Sequence, residues 1–226
     1  MIDSAFGGED RDAVIDRYTR RLVEHGHSHL AVGWGPKNRQ ATRFEILASP
    51  WDFAGKRILD IGGGFGDLYG YLAPRGIAHY TGVDIVPDLV AVGRRAYGGN
   101  PNFELIQGDF LELELEAEYD LAFISGLFNF KLAQGGNYEF ISQVLGKAMG
   151  LCSEGVSANF ITARTDFQED IVFYADERIV LETCFHLTRR LSMRADYFPF
   201  EYSVHLHKDD SYSTVTSTFL GFRGTS

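Results

Sequence analysis

The sequence predicts an α/β protein built on one doubly wound, mostly parallel β-sheet, and three observations carry that prediction. From Arg57 onward, apolar runs of strand length alternate with segments whose apolar residues recur at helical spacing. The first of those runs opens into four glycines within five positions, in the stretch ILDIGGGFGD at 58–67, and passes straight into a helical pattern. The 226 residues are 45% hydrophobic, enough for the core of one generous domain and far from the composition of a disordered chain.

The elements follow in order. Val14, Ile15, Tyr18 and Leu22 share a helix face that Gly26 caps, and Ala41, Phe44, Leu47 and Ala48 mark a second helix that turn residues end before 56. RILDI at 57–61 is a buried strand; Leu68, Tyr71 and Leu72 line the helix after the glycines, which stops before Pro74. A second strand spans 79–85, and a helix follows with Pro87 in its first turn, where a missing N–H costs nothing. Strands at 103–107 and 119–125 come next, then a helix through Tyr138, Ile141, Leu145 and Met149, then a strand at 155–162. After a helical stretch near 175–187, two strand-like runs are joined by a hairpin across Tyr197, Phe198 and Pro199, and a polar tail begins at Lys208. The alternating LELELEAE at 111–118 suits a strand edge or a solvated loop without functional weight.

Charge and cysteine usage limit the partners. Asp plus Glu outnumber Lys plus Arg by 31 to 21, a net charge of −10 that disfavours unspecific attraction to a nucleic-acid backbone. No apolar run is long enough for a bilayer, so no membrane partner is expected. The acidic, polar start at 1–12 lacks the basic patch and apolar segment of a secretory signal, and Cys152 and Cys184 each sit in an apolar pattern that suits buried thiols. The expectation is a cytoplasmic protein, monomeric or homodimeric.

The glycines form the turn from the first strand into its helix, where doubly wound sheets bind ligands. A dinucleotide fingerprint, G-x-G-x-x-G, would need its third glycine at position 67 after Gly62 and Gly64, but Asp67 stands there and Gly66 comes one residue early. An acid at the helix N-terminus also repels a pyrophosphate. NAD is disfavoured.

Gly62, Gly64 and Gly66 behind Asp60 instead resemble the first motif of the class I S-adenosylmethionine (SAM)-dependent methyltransferases, and other stretches agree in order. VDI, ending the second strand with Asp84 and Ile85, resembles the ribose-binding segment; QGDF, with Asp109 and Phe110, resembles the adenine-binding turn; YDLAFISGLF at 119–128 resembles the fourth strand and the loop at the methionine end. The resemblance covers roughly residues 50–165 and is specific by combination, since GxGxG alone is weak. It implies SAM as cofactor, a Rossmann-like sheet of seven strands with an antiparallel C-terminal strand, and an N-terminal helical lid. The domain layout is then one methyltransferase domain over 1–226: lid 1–50, SAM-binding core 51–165, helix and hairpin 166–208, tail 209–226.

The same resemblance distributes roles. Asp84, about 20 residues beyond the glycines, takes the ribose hydroxyls; Asp109 accepts from the adenine amine while Ile85 and Phe110 sandwich the ring. Asp60, with the backbone of Gly62, Gly64, Ser125 and Gly126, faces the methionine end. Taken singly, Asp84 or Asp109 reads equally well as a helix N-cap or turn residue. Methyl transfer is an in-line displacement needing no covalent nucleophile, so catalytic residues are hard to see. General-base candidates are His25, His27, His29, His205 and His207; His29, Asn129 and His205 are the weak catalytic candidates, and Trp34, Gln40, Arg43, Phe44, Phe128 and Asn129 are candidate acceptor contacts, with core packing the alternative for Trp34 and Phe44. His25, His27 and His29 lack the convergent partners a metal needs, so no metal is expected, and His27 reads as a solvated loop residue. The expected activity is methylation of an oxygen or nitrogen of a small molecule; the alternatives are a SAM-binding protein without catalysis, or a methyltransferase acting on protein or nucleic acid.

Overall fold

A computed structural model describes residues 6–33, 37–116 and 118–222. Its centre is a seven-stranded sheet of order β3-β2-β1-β4-β5-β7-β6. The strands are β1 (Arg57–Ile61), β2 (His79–Asp84), β3 (Phe103–Gln107), β4 (Tyr119–Ile124), β5 (Cys152–Ile161), β6 (Leu191–Arg194) and β7 (Glu201–His207). The first five run parallel, and β7 pairs antiparallel with both β5 and β6. The helices are α1 (Gly8–His25), α2 (Lys37–Ala48), α3 (Asp67–Leu72), α4 (Pro87–Tyr97), α5 (Asn137–Leu151) and α6 (Glu177–Leu187).

Strands of apolar runs arise because both sheet faces are covered. In β1, Ile58 joins Tyr80, Leu121 and Phe123 in the cluster under α2 and α3, while Leu59 and Ile61 join Ala122 and Ile124 in the cluster under α5. The register sets Asp60 beside Phe123, Ser157 and His205 in one row across four strands. α5 passes into β5 without a loop, so β5 begins at Cys152, three residues before the expected start, because Cys152 itself is buried against Tyr119. Beyond α3, residues Ala73–Arg75 form one further 3-10 turn that accommodates Pro74, so the helical rotation outlasts the expected stop.

α1 packs by Val14, Ile15, Tyr18 and Leu22 on a small separate core of Ala31, Phe65, Val86 and Leu89. Gly26 closes it, its N–H donating to Leu22 O at 2.8 Å. α1 therefore lies across the carboxyl ends of β1 and β2, over the glycine turn.

Candidate cofactor and active site

β1 delivers the chain at Ile61, and Gly62, Gly64 and Gly66 take φ of 74°, 57° and 78°, a left-handed conformation that side chains resist. The turn therefore folds tightly back: the Gly62 and Gly63 N–H groups donate to Val83 O at 2.8 and 3.1 Å, and α3 starts at Asp67. The Gly64 N–H donates to Asp84 Oδ2 and the Val86 N–H to Asp84 Oδ1, both at 2.8 Å. Each carboxylate oxygen thus holds one backbone donor and keeps a lone pair for a ligand. Burial pushes the Asp84 carboxyl up, and those two bonds oppose it.

Asp109 follows β3. Its Oδ1 accepts from the Leu111 N–H at 2.8 Å, and its Oδ2 lies 2.8 Å from the Arg11 guanidinium of α1. Lys147 of α5 donates to the carbonyls of Phe110, Leu111 and Leu113 at 2.7, 3.1 and 2.6 Å and stands 5.0 Å from the Phe110 ring centre. The segment from 111, read as a strand edge or solvated loop without functional weight, is a loop that packs on the core next to Asp109. Leu111, Leu113 and Leu115 pack inward, and Glu112 reaches Arg11 at 2.5 Å. Ile85, Asp109 and Phe110 line one cleft together with Gly62, Gly64 and Asp84.

At the other end, Asp60 lies buried beneath the glycine turn, and the Tyr80 hydroxyl donates to its Oδ2 at 2.5 Å. Burial pushes the Asp60 carboxyl up to about 7, the Tyr80 bond opposing and the Asp84 and Asp67 charges adding to the rise. Asp60 opens onto a narrow recess with Gln40, Phe44 and Asp67. Ser125 lines both the cleft and this recess, its Oγ buried without a hydrogen-bond partner among the described residues, and the Gly126 N–H donates to Asn159 Oδ1 at 2.8 Å. An apolar-walled cleft thus runs from Asp109 past Asp84 to Ser125, roofed by Phe6, Val14 and Tyr18. The roof is fixed where Asp10 accepts from the Ala133 N–H at 2.8 Å and Thr19 donates to Asp88 at 2.9 Å.

The remaining candidates fall elsewhere. Trp34 lies outside the described residues. Phe128 is core, stacked 5.1 Å from Phe160 and edge-on to Phe140, so its ring is spent on packing rather than presented to an acceptor. Asn129 ties its backbone carbonyl to the Phe173 N–H at 2.9 Å, with its side-chain Oδ1 buried off the cleft wall. His29 is half-buried on neither wall. His205 is sealed in β7, its Nδ1 2.8 Å from Ser157 Oγ, which also accepts from Trp51 Nε1 at 2.7 Å. Burial pushes His205 down to about 4. His27, by contrast, is engaged: its ring lies 4.4 Å from Phe65 and its Nε2 3.3 Å from Asp67, beside the recess.

Arg43, expected to face the cleft, instead points to β7. It forms a buried two-pronged ion pair with Glu201, Nε to Oε2 at 2.6 Å and a second bond to Oε1, and lies over the Phe198 ring. The expected result of Arg43→Ala is therefore lost stability, about 3–5 kcal/mol, because Glu201 is left buried and uncompensated. Thermal melts check it, and Arg43→Met with Glu201→Leu should recover much of the loss.

Comparison with known proteins places this geometry. Residues 58–145 match a family model described as a methyltransferase domain. Rv1506c of Mycobacterium tuberculosis, named as a methyltransferase, is 28% identical over 157 residues, covering 67% of this chain and 92% of that one. Ribosomal RNA small subunit methyltransferase A of Geobacter sulfurreducens is 42% identical over 62 residues, covering 27% of this chain and 22% of that one. Among solved structures, magnesium protoporphyrin IX methyltransferase from Synechocystis with bound SAM superposes with a TM-score of 0.62 at 16% identity, covering 88% of this chain and 96% of that one.

Proposed function

Because the chain belongs to the class I SAM-dependent methyltransferases, we propose that it methylates an oxygen or nitrogen of a small molecule held at the Ser125 end of the cleft. The observation that carries this reading is the roof: α1 closes the cleft above the glycine turn, fixed at Asp10, Arg11 and Thr19. A covered cleft with apolar walls suits an acceptor that enters it whole. A net charge of −10 disfavours an RNA or DNA strand, and a likeness confined to 22% of the ribosomal RNA enzyme does not reach that enzyme's choice of acceptor. The Synechocystis enzyme of like fold acts, by its name, on a porphyrin. The protein acts as a soluble monomer or homodimer in the cytoplasm.

The residues fit the cofactor. Asp84 offers an acceptor lone pair on each oxygen for the ribose hydroxyls, and Asp109 accepts from the adenine amine between Ile85 and Phe110. Asp60 and Ser125 Oγ, which has no hydrogen-bond partner among the described residues, would serve as acceptors for the positively charged amino-acid end. SAM supplies the methyl group on a sulfonium, a leaving group needing no protonation. The protein's own contribution would be positioning and exclusion of water, with Leu127 and Phe130 on the cleft wall and the α1 roof holding the acceptor beside the methyl and keeping solvent out. Following S-adenosylhomocysteine release over a panel of small hydroxyl and amine compounds, beside ribosomal RNA, tests the reading. Turnover of a small compound and none of RNA is expected; RNA methylation with no small acceptor contradicts it.

A further inference from the structure

We infer that Arg11 is a positioning residue for recognition of the cofactor's base: from α1 it holds Asp109 as an acceptor-only carboxylate, so that the cleft takes a 6-aminopurine and rejects a 6-oxopurine. This rests on the proposed seat of adenine at Asp109. The Asp109 side chain is 6% exposed, and its Oδ1 is committed to the Leu111 N–H. Its Oδ2, at 2.8 Å from Arg11, is the atom left to meet a base, and while the carboxyl is ionised that atom can only accept. A protonated Asp109 would instead donate, which suits a 6-oxo group.

The charges around Asp109 show why Arg11 decides between these states. Burial favours the protonated form and Glu112, on the same loop, adds to it; the Leu111 N–H, Arg11 from α1 and Lys147 from α5 oppose it. The Lys147 ammonium is already spent on three loop carbonyls. Arg11 is the cation in contact with the carboxylate, and it arrives on the roof helix, so closing the roof and fixing the base-reading state are one event. Arg11 Nε is buried without an acceptor among the described residues, so the guanidinium is held there at a cost a purely structural surface pair would not carry.

The test is calorimetric titration of the whole chain with S-adenosylhomocysteine and its deaminated counterpart S-inosylhomocysteine, from pH 5.5 to 8, in the wild type, Arg11→Met and Arg11→Lys. The two ligands share ribose and amino-acid ends, so the titration of Asp60 cancels in their ratio. Wild type is expected to prefer the adenosyl ligand at least about tenfold throughout. In Arg11→Met the preference should fall severalfold towards pH 5.5, and Arg11→Lys should restore it. A preference in Arg11→Met as flat with pH as the wild type's overturns the inference, as does equal weakening of both ligands, which would make Arg11 roof packing alone. A wild type that takes both ligands equally would instead remove adenine from Asp109. Should Arg11→Met fail to fold, Glu112→Gln leaves Arg11 wholly to Asp109 and must keep the wild-type preference at pH 5.5; its loss overturns the inference.

Discussion

Asp84→Ala is expected to weaken SAM binding by about 1–3 kcal/mol, a roughly 5- to 150-fold rise in Kd. The carboxylate is buried, and its two oxygens are fixed by the Gly64 and Val86 N–H groups, so it meets a ligand already oriented. With the ribose seated as proposed, losing it would leave two ribose hydroxyls without acceptors, and it would free the turn that Gly64 anchors. Titration calorimetry measures the first loss, and a melt without ligand measures the second. A variant that melts and binds as the wild type does removes Asp84 from the site.

Asp60→Asn is expected to stabilise the ligand-free protein above pH 7 while weakening SAM binding. Asp60 is buried with a carboxyl pushed up to about 7, against an ordinary value near 4. The folded state therefore holds this proton more tightly than the unfolded chain. Its contribution to stability is greatest below pH 4 and is lost as the pH rises towards 7. An uncharged Asn escapes that loss and can still accept from Tyr80, whose hydroxyl lies 2.5 Å away. A ligand ammonium prefers the ionised carboxylate, so wild-type affinity should fall as the pH drops below about 7, by up to about tenfold per unit, and the Asn variant should show no such slope. Melts and titrations at pH 6 and 8 check both halves. A variant that is less stable at pH 8 and binds with the wild-type pH slope contradicts the role of Asp60.

The sheet was legible because its information is local. The parallel strands are mostly apolar runs bounded by glycine, proline or polar residues, and Asp60, Gly62, Asp84 and Asp109 fall in chain order at or just beyond the carboxyl ends of β1, β2 and β3. The misreadings share one cause, pairing across long sequence separation. Arg43 meets Glu201 158 positions away, and nothing around Arg43 reveals that a buried carboxylate awaits it. Arg11 meets Glu112 from 101 positions away, so the alternation at 111–118 looked featureless although its leucines pack inward and its glutamate helps hold the roof. Lys147 reads as an ordinary helix lysine until the loop from 110 to 113 is laid against it. Phe128 was drawn to the cleft by its neighbours in sequence, whereas Phe160 and Phe140 claim its ring. The Tyr80 bond to Asp60 had a local signal, since register places β2 beside β1, but only the sheet shows that both side chains share a face.

The most direct test of the central claim, that SAM lies along β1 and β2 with its ribose on Asp84 and its base on Asp109, is a crystal structure with S-adenosylhomocysteine bound. The expected result is both ribose hydroxyls within hydrogen-bond distance of Asp84 Oδ1 and Oδ2, the adenine amine at Asp109 Oδ2 between Ile85 and Phe110, and the amino-acid end at Asp60 and Ser125. A ligand bound with its base in the Gln40 and Phe44 recess, or with its ribose away from Asp84, would contradict the account.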